Sequence, residues 1–301
     1  MNQPEIICFG EMLWDILPTG KQAGGAPMNV AVHLKNLGLS PRMVSRIGND
    51  ELGKELLAFL EEKGLSTDLI QTGETHLTGV VKANVSNRNE VTYKILHPVA
   101  WDYIQPETAM IEAAEKADIF IFGSLCARSK ATRETLNHLL KKTGFKVFDV
   151  NLRAPFFQQD LVEYFLKEAD MVKMNEHELA LIAEWNNENT DQRSSMLALA
   201  ERFELNTICV TRGGDGAILL EKGHFYESEG YKVEVKDTIG SGDAFLAALL
   251  NARIQKKDPE ESLSFACAMG SLVATYQGAT PTVSIAEAES LRSRLVVNPD
   301  A

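Results

Sequence analysis

Asp237-Thr238-Ile239-Gly240-Ser241-Gly242-Asp243-Ala244-Phe245 sets a small-residue loop directly ahead of an apolar run, with a carboxylate at the junction. Gly240 and Gly242 allow a sharp turn. The first amides of a helix over roughly residues 243–254 have no intrahelical acceptors and can face an anion. A carboxylate beside a bound phosphate repels it unless it has other work, such as accepting the proton of an attacking hydroxyl. Asp is also favoured at helix N-termini, so on this loop alone a charged cap stands beside the phosphoryl-transfer reading.

Outward from the loop, two kinds of segment alternate. Short apolar runs, Ile6-Ile7-Cys8-Phe9, Ile119-Phe120-Ile121-Phe122, Val147-Phe148-Asp149-Val150 and Ile208-Cys209-Val210, read as buried parallel strands. Helical periodicity covers residues 28–37, 51–63, 107–116, 131–142, 161–168, 176–184 and 194–203. The alternation predicts a three-layer α/β/α domain with a mostly parallel central sheet, residues 1–301 forming one unit. Ligands of such sheets bind beyond the carboxyl ends of the strands, where Asp15, Asn151, Arg153, Asn175 and Thr211 fall. Residues 77–86 and 90–96 instead alternate polar and apolar around Asn87-Arg88-Asn89, predicting a β-hairpin. It is either an edge ornament or a lid over residues 75–101, and Trp101-Asp102 just after it favours the lid.

The composition narrows the partners. A formal net charge of -12 and a pI near 5.1 argue against nucleic acid and against an anionic membrane surface, so an anionic ligand must be held locally. Cys8, Cys126, Cys209 and Cys267 are scattered through apolar stretches without metal spacing or a disulfide framework, and read as buried free thiols. Neither a basic leader nor a membrane-length apolar run occurs, so a cytoplasmic location is expected.

Three more constellations carry polar residues. Gly24-Gly25-Ala26-Pro27-Met28-Asn29 turns into a helix, with Asn29 offering a donor and an acceptor to ligand hydroxyls and Asp15 accepting two more; a plain turn and a solvated charge are the alternatives. In Lys173-Met174-Asn175-Glu176-His177-Glu178, Asn175 and Glu178 have the spacing of a helix cap. Glu178 could also hold a metal-bound water, and Lys173 could balance phosphate charge. Thr211-Arg212-Gly213-Gly214 either passes over a nucleotide or joins two strands. No P-loop, dinucleotide fingerprint, zinc-protease motif or nucleophile elbow is present.

In order along nearly the whole chain, Gly10-Glu11-Met12-Leu13-Trp14-Asp15, the Gly24-Gly25 helix with Asn29, Asp149-Val150-Asn151-Leu152-Arg153, Lys173 to Glu178, Val210-Thr211-Arg212-Gly213 and Asp237 to Asp243 resemble the ribokinase or PfkB family of carbohydrate kinases. The resemblance implies a ribokinase-like fold and a cytoplasmic ATP-dependent kinase. It makes Asp243 the base toward the sugar hydroxyl and Gly240, Ser241 and Gly242 the anion hole. Asp15, Gly25, Asn29, Asn151 and Arg153 then match the sugar side, and Lys173, Asn175, Thr211, Gly213 and Cys267 the nucleotide side. Glu178 matches a water-mediated Mg²⁺ position, while Asp237, Ile239 and Gly278 match a monovalent-cation position, K⁺ being the candidate. A homodimer is a further expectation.

Within the family, the strand-end motifs look fructokinase-like, and Ala26-Pro27 supply no cation for a substrate phosphate. D-Fructose is therefore the expected substrate. 2-Keto-3-deoxygluconate or another sugar acid is the rival, with Arg153, Arg88 or Arg128 as its carboxylate partner. A catalytically silent sugar-binding regulator is the rival from another class, opposed by the intact loop. Two further expectations follow: the helix N-terminus holds Asp243 ionised near neutral pH and weakens it as a base, and, set against the family it resembles, the eight residues between Asp15 and Gly24 imply a reduced lid strand or dimer contact there.

Overall fold

The computed structural model describes residues 3–17, 20–85, 91–187 and 191–296. The chain runs β1 (Ile6–Phe9), β2 (Leu13–Leu17), β3 (Gly20–Gly24), α1 (Ala26–Asn36), β4 (Arg42–Gly48), α2 (Glu51–Glu62), β5 (Ile70–Gly73), β6 (Gly79–Val85) and β7 (Val91–Ile95). It continues through α3 (Thr108–Lys116), β8 (Ile119–Gly123), α4 (Lys130–Leu140), β9 (Phe145–Asp149), α5 (Gln159–Glu168), β10 (Met171–Asn175), α6 (Glu176–Trp185) and α7 (Gln192–Arg202). The last elements are β11 (Thr207–Thr211), β12 (Ala217–Glu221), β13 (His224–Ser228), α8 (Ser241–Ile254), α9 (Pro259–Val273) and α10 (Ile285–Val296). Helix α7 begins two residues before its apolar pattern, where Asp191 starts it by accepting from the Ser194 amide.

A nine-stranded sheet has the order β13-β12-β11-β10-β9-β8-β1-β4-β5. Every pairing from β5 to β11 is parallel; β12 runs antiparallel to both its neighbours. Alternate residues of each strand enter opposite cores. Ile6 and Cys8 pack with α1, α2, α8, α9 and α10, whereas Ile7 and Phe9 pack with α3 to α7. This is why the strands read as unbroken apolar runs: both faces are covered. Helix α8 is buried at every position from Ala244 to Ala252, between the sheet, α1 and α9, so the loop at its start stands on an enclosed support. The chain leaves β1 on one side toward β4 and returns on the other at β8, which opens a crevice at their carboxyl ends.

The second sheet corrects two expectations. It has four strands in the order β3-β2-β6-β7, not a lone hairpin, and the segment between Asp15 and Gly24 is not reduced: it supplies β2 and β3. Strand β2 pairs antiparallel with β3 and parallel with β6, so two distant stretches of sequence build one sheet. Asp15 accordingly stands on β2 of this sheet and not in a loop after β1. Asn87-Arg88-Asn89 lie outside the described residues.

Where the small sheet meets the large one, Asp102 is fully buried and takes Arg128 Nε at 2.7 Å and Nη2 at 2.8 Å. The Val99 amide donates to the same carboxylate at 2.9 Å, and Arg128 stacks 3.8 Å from the Trp101 ring. A second bond from Arg128 Nη2 reaches the Leu96 carbonyl at the foot of β7. Among the described residues no helix is long and apolar enough to cross a membrane, and all four cysteines are buried and free.

Candidate active site

A cavity of about 700 Å³ lies beyond the carboxyl ends of the large sheet. Asn29 and Gly25 reach it from the start of α1, Asn151 and Arg153 from the loop after β9, Lys173 and Asn175 from β10, and Thr211 from β11. Asp237, Ile239, Gly240, Gly242 and Asp243 form the opposite side, and Asp15, Val81 and Ile95 of the small sheet close another. Ser241, Glu178, Gly213, Cys267 and Gly278 are not part of this lining.

Asp243 enters from the first turn of α8, and Asn29 Nδ2 donates to its Oδ2 at 2.8 Å. Burial pushes the Asp243 carboxyl up to about 6, with Asp149 adding to it and Lys173, Asn29 and Arg153 pulling back. Its residual exposed surface opens on the cavity while protein surrounds the rest. The expectation that the helix terminus weakens it as a base is therefore corrected, since burial and Asp149 raise the carboxyl. At neutral pH the group is still ionised, and it is a stronger base than an ordinary Asp.

The loop ahead of Asp243 needs its glycines. Gly240 has φ 78° as the residue before α8, and a Cβ there would lie 2.3 Å from the Ala279 carbonyl oxygen. A Cβ on Gly242 would lie 3.1 Å from Lys173 Nζ, so the ammonium is set against that backbone. An anion on the α8 amides would share this space with Lys173. Burial pulls the Lys173 ammonium down, but Asp149, Asp243 and Glu178 more than offset it, and Nζ lies 3.1 and 3.3 Å from the two Asp149 oxygens.

The other positions are also fixed by packing. The Asp15 carboxylate lies against Gly24, where a Cβ would come 2.4 Å from Oδ2; burial pushes it up to about 6, Arg153 pulls it down and Asp237 raises it. Gly25 has φ 115°, and a Cβ there would stand 2.3 Å from the Glu11 carbonyl oxygen. Asp237 receives the Ile239 amide at 3.0 Å and the Gly278 amide at 3.1 Å, joining the three residues of the expected cation position. Glu178 forms the cap: Oε2 accepts from the Asn175 amide at 2.9 Å, Oε1 from the Leu152 amide at 2.7 Å. It holds two walls together from behind.

Thr211 ends β11, and Gly213 opens a turn into antiparallel β12, so the strand-joining reading also holds. The Cys267 thiol, pushed up to about 11 by burial, sits on α9 near Ser228 and Arg212. Arg128, committed to Asp102, is corrected out of the carboxylate-binding set, and Arg88 lies outside the described residues. Arg153 remains, exposed at the cavity.

Two functional positions escaped the sequence reading. Glu11 lines the cavity, buried, and burial pushes its carboxyl up to about 7. Asp149 holds Lys173, and the signal was available: Lys173 is the lone charge of β10, and the parallel register of β9 and β10 pairs it with Asp149. Among the described residues no three His, Cys, Asp or Glu side chains are grouped to hold a metal.

The sequence pattern of the pfkB family carbohydrate kinases matches residues 5–286. "Probable fructokinase-6, chloroplastic" of Arabidopsis thaliana is 28% identical over 95% of this chain and 82% of its own length. A fructokinase of Xylella fastidiosa with bound ATP superposes with a TM-score of 0.85 at 24% identity, covering 97% of this chain and 98% of that one. A double mutant of the Vibrio cholerae O395 fructokinase, with fructose, ADP and potassium bound, gives a TM-score of 0.83 at 21% identity, covering 97% and 99%. The three-layer architecture is thus that of the ribokinase-like sugar kinases.

Proposed function

The chain belongs to the pfkB family of carbohydrate kinases, and from that premise we propose that it transfers the terminal phosphoryl group of ATP to a primary hydroxyl of a free monosaccharide, D-fructose foremost. The observation that carries this reading is Asp243: a carboxylate with a raised pKa, bonded to Asn29, at the head of a helix whose first amides face the same cavity. Asp243 accepts the hydroxyl proton as the oxygen attacks phosphorus. The loop Gly240–Asp243 and Lys173 oppose the charge on the transferring group, and the small sheet keeps water from the reaction.

Asp15, Asn29 and Asn151 orient the sugar, while Thr211, Gly213 and Cys267 lie toward the nucleotide. Mg²⁺ would be carried in with the phosphates, since among the described residues no carboxylate cluster is grouped to hold a metal; Asn175, which lines the cavity, would meet its water shell, whereas Glu178, holding the Asn175 and Leu152 amides from behind the wall, would position Asn175. When bound, Mg²⁺ would neutralise phosphate charge. A monovalent cation would be held where Asp237 gathers Ile239 and Gly278. Replacing K⁺ by a larger organic cation at equal ionic strength should then lower turnover.

A second reading, a sugar-acid kinase, is supported by Arg153, whose guanidinium opens on the cavity. An ATP- and Mg²⁺-dependent assay over a panel of sugars decides between them. Fructose is expected to exceed 2-keto-3-deoxygluconate by about tenfold or more in kcat/KM, the worth of one well-made polar contact. Strong turnover of the acid with none of fructose reverses the choice.

A further inference from the structure

Glu11 follows Gly10 at the exit of β1, is 2% exposed, and has an Oε2 with no hydrogen-bond partner. A buried carboxylate oxygen left without a donor is unfavourable, and within a binding cavity it marks a place that a ligand or water must satisfy. Asn29 shares the cavity and the deficit: its Nδ2 is committed to Asp243, and its Oδ1 is buried without a partner. One cavity therefore holds two unpartnered acceptors. An O–H group, which both donates and accepts, can satisfy both positions in either protonation state of Glu11; an ionised carboxylate or phosphate cannot satisfy Asn29 Oδ1.

Neither guanidinium that acts on Glu11 donates to its Oε2: Arg128 is bonded to Asp102 and to the Leu96 carbonyl, its Nη1 remaining buried and unpartnered, and Arg153 Nη1 donates to the Leu152 carbonyl. Nor is Glu11 free to turn away with its backbone. The start of α1 packs directly on it: a Cβ on Gly25 would meet the Glu11 carbonyl at 2.3 Å, and one on Gly10 would meet Pro27 Cγ at 2.8 Å. A side chain rooted in a locked backbone is placed with the accuracy that recognition requires.

We propose that Glu11 is a specificity-determining residue that accepts a hydrogen bond from a sugar hydroxyl other than the one phosphorylated, with Asn29 Oδ1 accepting from a second. The inference rests on the monosaccharide-kinase reading and adds to it the part of the substrate that this wall reads. Asp243 serves the reacting hydroxyl; Glu11 and Asn29 select for its hydroxylated neighbours and against anionic groups at the same wall.

The test crosses Glu11→Ala and the near-isosteric Glu11→Gln with deoxy and deoxyfluoro analogues of the preferred sugar, each lacking one hydroxyl donor. For one analogue, wild-type kcat/KM should fall about 10–100-fold, and each variant should lose a similar factor on the parent sugar. The two losses should not multiply: the variants should treat that analogue and the parent alike within about threefold, with KM for ATP unchanged. If Glu11→Ala does not fold, Glu11→Gln carries the comparison. Losses that multiply for every analogue, with wild-type turnover intact, overturn the role of Glu11 alone. A wild-type enzyme that phosphorylates no monosaccharide overturns the underlying reading, and this inference with it.

Discussion

Asp102 and Asp243 are both enclosed by protein, and the fold treats them in opposite ways. Asp102, at the junction of the two sheets, receives a two-pronged Arg128, the Val99 amide and the His97 Nδ1 contact at 3.0 Å. Asp243 has Asn29 on one oxygen, while neighbouring Asp149 works against its charge. A fully matched carboxylate builds the junction of the two sheets. An under-matched one keeps a shifted pKa and an open side for a reactant.

Removing the charge of each residue, or its partner, should separate building from chemistry. Asp243→Asn should cut kcat by about 10²–10⁴-fold while sugar binding persists; persistent turnover removes Asp243 as the base. The same variant should be more stable by about 1–2 kcal/mol at neutral pH. The folded-state carboxyl, at about 6, lies above its unfolded value, so ionisation opposes folding increasingly from about pH 4 to 6 and fully above. Urea titrations at pH 7 and pH 4 test this: the gain should vanish at the lower pH.

Arg128→Ala should instead cost about 3–5 kcal/mol in the same titration, because it leaves the Asp102 charge buried without its cation. A loss below about 1 kcal/mol would make the pair equivalent to a surface bridge. Smaller still, wild-type kcat at saturating sugar should fall about tenfold per pH unit below about 6, as Asp243 becomes protonated. A flat profile from pH 7 to 5 would break the assignment. Smallest is Asn29→Ala: losing the donor on Asp243 should move the acid limb toward neutrality and lower kcat about two- to tenfold at pH 6.

The large sheet was legible because strands covered on both faces are written as continuous apolar runs, and the loops were legible because their glycines answer to close backbone contacts. Gly24 and Gly25 are the clearest case: one yields to the Asp15 side chain, the other to the Glu11 backbone. Strands β2 and β3 were not. Each is five residues long, β3 has glycine at both ends, and their sheet is completed only by β6 from a distant part of the chain. The basicity of Asp243 escaped for the same reason: a helix terminus is visible locally, whereas Asp149 and the enclosing walls come from other elements. The pairing of Lys173 with Asp149 stood within reach once adjacent parallel strands were aligned.

The four enclosed thiols give the chain a built-in clock. Burial drives Cys8, Cys126 and Cys209 far above the usual thiol range and Cys267 to about 11, so the native protein presents almost no thiolate to an alkylating or oxidising reagent. Any modification must wait for the sheet, the Leu125–Arg128 turn after β8, or α9 to open. The rate at which a thiol reagent consumes the native enzyme therefore reads the frequency of that opening directly, and ligands that close the cavity should slow it.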